Sequence, residues 1–142
     1  MKNKKYKVGY TTGVFDLFHI GHLNILKKSK NLCHELIVGI STDDLVFTNK
    51  RKYPVINLKE RLEIVKSIKF VDKVVIQKNS NKFTAHRYYK FDVLFVGDDW
   101  KGDPKWIEYE QMLNKKNVDV IYFPYTKSTS STKINQILDK FR

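Results

Sequence analysis

Short apolar runs alternate with longer amphipathic stretches along this 142-residue chain. The apolar runs are four to six residues long and rich in Val and Ile, which is typical of buried parallel strands. In the stretches between them, apolar residues recur at helical spacing, as at Leu58, Leu62, Val65 and Ile68. The pattern predicts strands over 7–10, 35–40, 73–76, 93–96 and 118–123, and helices from Gly21 onward and over 58–68, 82–89, 106–113 and 131–141.

This alternation predicts a doubly wound α/β fold, in which helices cover both faces of one parallel five-stranded sheet. Ligands of such sheets bind beyond the carboxyl ends of the strands. Those ends carry the polar, small-residue sequences "TTGVFD", "STDD", "GDDW" and "PYTKSTSST", and a polar, basic loop is predicted after "STDD" through Pro54. The length fits a single domain over residues 1–142, so we expect one site at this edge of the sheet.

The chain is strongly basic, with 27 Lys and Arg against 15 Asp and Glu, a net charge of +12. Such a charge attracts nucleic acid, anionic membrane surfaces and phosphorylated metabolites alike, so it does not choose among them. The hydrophobic fraction of 42% is typical of globular proteins, and the basic first residues lack the apolar core of a signal peptide. We therefore expect a cytoplasmic protein, in which the single cysteine, Cys33, is a buried structural thiol.

Two histidines, His19 and His22, flank Gly21 between the first strand and the first helix. A helix that begins near Gly21 would place His19 in the incoming loop and His22 in the first turn, beside unpaired backbone amides. A helix N-terminus attracts phosphate through these amides and through the helix dipole. Two imidazole donors at this place favour phosphoryl-transfer chemistry. A zinc site is not indicated, because no Cys or further His lies at ligand spacing.

The stretch "TTGVFDLFHIGH" resembles the HxGH element of the nucleotidyltransferase superfamily. Three further stretches, "GISTDD", "VGDDWKG" and "SSTKI", follow in the expected order, and together they resemble the bacterial glycerol-3-phosphate cytidylyltransferases. The resemblance implies a Rossmann-like fold and the condensation of CTP with glycerol 3-phosphate to CDP-glycerol and pyrophosphate, for teichoic acid or capsule synthesis. It also implies Mg²⁺ bound with CTP and a homodimer formed through the helix 58–68 and "VDKVV".

The same resemblance assigns roles to individual residues. His19, His22 and Lys52 are the expected catalytic residues, with Lys50 and Lys52 matching a family Lys-x-Lys pair. The nucleotide would contact Thr12, Gly13, Val14, Phe15, His19, Gly21, His22, Lys52, Gly97, Asp98, Tyr125, Thr129, Ser130, Ser131 and Thr132. The acceptor would contact Asp16, Lys50, Arg61, Lys82 and Trp100.

Several positions depart from the family pattern and leave alternatives open. Tyr125 stands where the family has an arginine, and Lys127 is the nearest replacement charge. Strict counting from "VD" puts Phe83, rather than Lys82, at the position of the family's acceptor lysine. Glycerol 2-phosphate, a pentitol phosphate, phosphoethanolamine, a sugar phosphate or a reaction with ATP therefore remain alternatives. A nucleic-acid-binding module is the rival from another class, although the chain lacks the aromatic and basic motif of a known reader.

Overall fold

The computed structural model describes residues 4–124 and 131–141. Its elements follow one another as strand and helix, with a second helix inserted between the second and third strands. The strands are β1 (Tyr6–Gly13), β2 (Cys33–Ser41), β3 (Lys73–Gln77), β4 (Val93–Gly97) and β5 (Asp119–Phe123). The helices are α1 (Ile20–Leu32), α2 (Asp43–Lys50), α3 (Leu58–Lys66), α4 (Lys82–Tyr89), α5 (Pro104–Lys115) and α6 (Ser131–Asp139), and a 3₁₀ turn spans Asp98–Trp100.

The five strands form one parallel sheet in the order β3-β2-β1-β4-β5. The central strand β1 pairs with β2 on one side, where Gly9 lies opposite Leu36, and with β4 on the other, where Gly9 lies opposite Val93. The chain thus winds outward from β1 in both directions, which confirms the predicted doubly wound fold. In such a sheet the crevice beyond the carboxyl ends of β1 and β4 is the switch point where ligands bind.

Two hydrophobic clusters cover the two faces of the sheet, because successive side chains of a strand point to opposite faces. In β2, Leu36 and Val38 belong to the first cluster, while Ile37 belongs to the second. The apolar face predicted for the helix over 58–68 packs on the first cluster, where Val65 is fully buried. Helices on both faces are therefore confirmed.

Helix α2 extends into the segment predicted as a polar, basic loop after "STDD", so that prediction is wrong for residues 45–50. The Thr42 side chain caps the helix by accepting a hydrogen bond from the Leu45 amide at 3.1 Å, and Arg51 ends it with a φ of 59°. Only Val46 of α2 is buried, so the apolar periodicity that marks a helix is almost absent. Lys50 therefore lies in the last turn of a helix rather than in a loop.

Cys33 directly follows the last residue of α1 as the first residue of β2, and it is fully buried. Its thiol donates to the Ser29 carbonyl oxygen at 3.3 Å, and burial raises the pKa of Cys33 to about 11. The prediction of a buried structural thiol is confirmed. Within residues 4–124 and 131–141, the helices are too short or too polar to cross a membrane.

Candidate functional site

The loop after β1 has an unusual backbone that delivers the first histidine to α1. Phe15 and Leu17 both adopt positive φ, at 55° and 51°, a conformation that is unfavourable for large side chains. Phe15 is buried, and its ring lies over Gly13, where an added Cβ would approach within 2.9 Å. The loop therefore requires a glycine at residue 13 and fixes the path of the chain into the helix.

The two histidines cap the N-terminus of α1. His19 is the N-cap residue, and its Nδ1 accepts from the Gly21 amide at 3.0 Å and from the His22 amide. His22 Nδ1 in turn accepts from the His19 amide at 3.2 Å, which completes a reciprocal capping box. The positions predicted for His19 and His22 are thus confirmed, but the expectation that these amides are unpaired is wrong.

Capping fixes the tautomer of both imidazoles. Because each Nδ1 accepts a hydrogen bond from an N–H group, it carries no proton, and a neutral ring must then carry its proton on Nε2. Burial lowers the pKa of His22 to about 3, with the neighbouring His19 as a second cause, and burial also lowers the pKa of His19. The rings stack with centroids 4.0 Å apart. Near neutral pH the pair therefore presents two uncharged rings, each with one Nε2–H donor.

Two cavities open at the carboxyl edge of the sheet, and His22 lies at their boundary. The smaller cavity, about 170 Å³, lies at the ends of β1 and β4. The larger cavity, about 430 Å³, lies between α2, the following segment and α6. Val14 and His22 line both cavities, so groups bound in the two would meet beside His22.

The cavities bring together most of the predicted site residues. Of these residues, the smaller cavity is lined by Thr12, Gly13, Val14, Phe15, His22, Lys82, Gly97 and Trp100. The larger is lined by Val14, Asp16, His22, Lys50, Lys52 and Thr132. Gly21 is buried in the first turn of α1, Asp98 is exposed in the 3₁₀ turn, and Ser131 begins α6. The predictions for Tyr125, Lys127, Thr129 and Ser130 lie outside the described residues.

Lys82, rather than Phe83, reaches the smaller cavity. The Lys82 side chain is only 4% exposed, and its Nζ donates to Thr12 Oγ1 at 2.8 Å and to Gln77 Oε1 at 3.0 Å. Burial lowers the pKa of Lys82 to about 8. Phe83 packs instead on the second hydrophobic cluster and on the Tyr109 ring, with centroids 5.4 Å apart. A buried cation at a cavity is suited to bind an anion.

Arg61, predicted to contact the acceptor, is fully buried beneath the site and is not among the residues that line the two cavities. Its guanidinium donates to the carbonyl oxygens of Val14 and Ser41, each at 2.8 Å, and to that of Ile56 at 2.8 Å. It also forms an ion pair with Asp43 at the start of α2. Arg61 therefore joins the loop after β1 to the end of β2 and acts by positioning that loop.

Asp16 also holds backbone in place. Its two carboxylate oxygens accept from the Val55 amide at 2.8 Å and the Ile56 amide at 2.9 Å. These bonds tie the segment before α3 to the loop after β1. Asp16 thus anchors a segment distant in sequence, while its side chain also borders the larger cavity predicted to bind substrate.

Lys52 forms an ion pair across the larger cavity, with its Nζ 3.1 Å from Asp139 Oδ2 of α6. Both side chains are about half exposed, so the pair contributes little to stability. Lys50 is exposed at the end of α2. Both predicted lysines thus border the cavity, and Lys52 has a carboxylate partner there.

Sequence reasoning missed Gln77 and Trp106. Gln77 is the last residue of β3 and contacts Lys82, and Trp106 of α5 lines the smaller cavity, 6.0 Å from Trp100 between ring centroids. The signal for Gln77 was its position, because a polar residue directly after an apolar strand lies at the ligand-binding edge. Trp106 carried no such signal, because tryptophan in a helix most often packs.

The chain is similar in sequence to known proteins over most of its length. The sequence profile described as "Cytidylyltransferase-like" matches residues 10–137. A glycerol-3-phosphate cytidylyltransferase from Bacillus spizizenii is 36% identical over 89% of this chain and 92% of its own length. An FAD synthase from Thermococcus sibiricus is 34% identical over 98% of this chain and 94% of its own length.

Solved structures show the same fold. The lipopolysaccharide core biosynthesis protein from Thermoplasma volcanium matches with a TM-score of 0.71 and 29% identity, over 87% of this chain and 99% of that protein. A pantoate-beta-alanine ligase from Francisella tularensis matches with a TM-score of 0.62 and 18% identity, over 97% of this chain and 70% of that one. Since the family profile matches residues 10–137, a range that includes His19 and His22, the chain belongs to the cytidylyltransferase-like family of nucleotidyltransferases.

Proposed function

We propose that this protein condenses CTP with a small phosphate ester, glycerol 3-phosphate, to give CDP-glycerol and pyrophosphate. The observation that carries the proposal is the capped histidine pair. His22 lies at the boundary between two cavities, and both rings keep an Nε2–H donor while remaining uncharged. Donors fixed before the reaction stabilise charge that develops in the transition state.

The chemistry is an in-line displacement at phosphorus. An oxygen of the acceptor phosphate attacks the α-phosphorus of CTP, the bond from the α-phosphorus to the bridging oxygen breaks, and pyrophosphate leaves with the electron pair. The acceptor phosphate is already ionised, so the step needs no general base. The protein contributes position and charge stabilisation, through the Nε2–H groups of His19 and His22 and through Lys82, Lys50 and Lys52.

Mg²⁺ would enter this site with the nucleotide. Mg²⁺ in such sites is held largely by substrate phosphates and needs only one or two protein carboxylates. Within residues 4–124 and 131–141 no group of three or more His, Cys, Asp or Glu side chains could hold a metal, and the described carboxylates that border the larger cavity are those of Asp16 and Asp139. This donor set fits a phosphate-bound ion, which would neutralise charge on the departing pyrophosphate.

Formation of FAD is the second candidate, because FAD synthases are as similar to this chain as the glycerol-3-phosphate cytidylyltransferases. This reaction needs an adenylyl donor and a flavin phosphate as acceptor. Tyr53 lines the larger cavity, is 59% exposed and stacks on Phe47 with centroids 4.6 Å apart. An exposed aromatic face of this kind favours a planar ligand ring.

One assay separates these reactions. The protein is mixed with Mg²⁺ and each nucleoside triphosphate in turn, against a panel of acceptors that includes glycerol 3-phosphate, glycerol 2-phosphate, a pentitol phosphate, phosphoethanolamine, a sugar phosphate and FMN. Pyrophosphate release is followed and the product is identified by mass. CDP-glycerol as the preferred product supports the proposal, whereas FAD supports the second candidate. No pyrophosphate from any pair, together with salt-sensitive oligonucleotide binding, would support a nucleic-acid-binding module instead.

We also propose that the protein forms a homodimer and is located in the cytoplasm. The region expected to form the dimer includes the edge strand β3 and helix α3, where Ile64 and Ile76 are exposed. Light scattering at several protein concentrations tests the dimer directly. An Ile64→Glu variant should weaken the homodimer if this surface forms the contact between the two subunits.

A further inference from the structure

The buried ammonium of Lys82 is held by uncharged groups. Its Nζ donates to the Thr12 hydroxyl at 2.8 Å and to the Gln77 side-chain oxygen at 3.0 Å. A buried cation usually has a carboxylate partner, because desolvation makes an isolated charge costly. Here both hydrogen bonds that the structure shows Lys82 donating go to neutral acceptors.

Gln77 is held in a single orientation. A lysine ammonium only donates hydrogen bonds, so the Gln77 atom that faces it must be the amide oxygen. The amide nitrogen then donates to Ser41 Oγ at 3.0 Å, and Ser41 is buried. Thr12, Ser41 and Gln77 belong to the carboxyl ends of β1, β2 and β3, so three neighbouring strands fix the ammonium at the cavity.

The charge of Lys82 is not neutralised by other groups at the cavity. Among the described residues that line the smaller cavity, the titratable ones are Lys82 and His22, and neither is an acid. His22, from α1, is neutral near pH 7 because burial lowers its pKa to about 3. A phosphate that entered the smaller cavity would therefore meet one uncompensated positive charge.

We propose that Gln77 is a positioning residue for the acceptor phosphate: its neutral amide fixes the Lys82 ammonium while leaving the full positive charge available to the phosphate ester. This inference rests on the proposed function, and it goes further by assigning the role to an uncharged partner. A glutamate at residue 77 would have nearly the same shape and would keep both hydrogen bonds, with Ser41 as donor. It would, however, pair with Lys82 and cancel the charge that the phosphate uses.

The first test measures the pKa of Lys82 in the ligand-free protein. Lysine side chains are labelled with ¹³C and titrated by NMR, and Lys82→Met identifies the resonance. The pKa should be near 8 in the wild type and about 1 to 3 pH units higher in Gln77→Glu, because a carboxylate at hydrogen-bond distance favours the charged form. Asn79→Asp is the matched control: Asn79 is exposed two residues after the end of β3, and the change adds the same charge without a described contact to Lys82. It should leave the pKa of Lys82 unchanged.

The second test measures kinetics at pH 7 with glycerol 3-phosphate and CTP. The KM for the acceptor should rise about tenfold or more in Gln77→Glu, since a charge-assisted hydrogen bond is weakened, while the KM for CTP changes less. Thermal unfolding verifies that the variant is folded. The proposal is overturned if the pKa of Lys82 is the same in Gln77→Glu and the wild type, or if a folded, active Gln77→Glu enzyme keeps the wild-type KM. If the wild type turns over no acceptor, the proposed function has failed, and the titration then decides whether Gln77 controls the charge.

Discussion

The neutral state of His22 predicts a measurable loss of stability in acid. Burial lowers the pKa of His22 in the folded protein to about 3 from its ordinary value of 6.5, which the unfolded chain retains. Between these two values the unfolded state binds a proton that the folded state does not, so stability falls as the pH falls. The contribution is fully present above pH 6.5 and is lost progressively as the pH decreases toward 3.

The size of this loss follows from the two pKa values. Each pH unit in this window changes the free energy of unfolding by about 1.36 kcal/mol per group. Acidification to about pH 5, which is roughly 1.5 pH units below the unfolded pKa, should therefore cost about 2 kcal/mol through His22. Such a loss is a large fraction of the net stability of an ordinary domain.

Urea unfolding followed by circular dichroism measures this effect, at about pH 7.5 and about pH 5. The comparison is with His22→Gln, because glutamine at the third helical position still accepts from the His19 amide but does not titrate. Contributions of groups that do not contact residue 22, such as His86, are common to both proteins and cancel in the difference. The wild type should lose about 2 kcal/mol more than the variant. Equal losses in the two proteins would refute the assignment of a buried, neutral His22.

Three further substitutions separate structural from functional roles. His19→Asn keeps an N-cap acceptor but removes Nε2–H, so kcat should fall about 10²–10³-fold while urea unfolding shows a change below about 1 kcal/mol; a turnover near that of the wild type would exclude His19 as a donor. Because burial lowers the pKa of Lys82 to about 8, keeping its charge at neutral pH costs about 3 kcal/mol of folding free energy. Lys82→Met removes this cost but loses about 1–2 kcal/mol with the hydrogen bonds, so the variant should be more stable by urea unfolding and poorly active. A less stable variant would contradict this reasoning. Arg61→Met leaves several buried carbonyl oxygens and Asp43 without their donor and should cost about 3–5 kcal/mol by urea unfolding; a change below about 1 kcal/mol would contradict its positioning role.

The sequence was informative where local pattern decides structure. The strands are short apolar runs, and the start of α1 is marked by Gly21 between two histidines, so the sheet and the histidine pair could be predicted. The capping box could not be predicted, because His is not among the residue types that usually cap helices. Here the imidazole nitrogens of His19 and His22 accept the backbone bonds that Ser, Thr, Asp or Asn usually accept.

Tertiary contacts decided the features that were missed. Helix α2 buries one apolar residue, so its periodicity is weak, and its cap at Thr42 and the anchoring of Asp43 by Arg61 define it instead. Arginine is almost never fully buried, so nothing in the residue pattern indicated that Arg61 would lie beneath the loop. Lys82 and Phe83 are adjacent, so the residue pattern alone did not decide which of them faces the cavity. The Asn81 cap sets where α4 begins and thereby which of the two side chains faces the cavity.

In the proposed mechanism, two uncharged, Nδ1-capped imidazoles donate through Nε2 to the transferred phosphate. Nitrogen-15 NMR of the histidine side chains, recorded near pH 7 with and without CTP and Mg²⁺, tests it directly. We expect His19 and His22 to be neutral with the proton on Nε2, and we expect their Nε2 resonances to shift when CTP binds while their Nδ1 resonances change little. Rings that carry the proton on Nδ1, rings that are doubly protonated at pH 7, or Nε2 resonances that CTP leaves unmoved would contradict it.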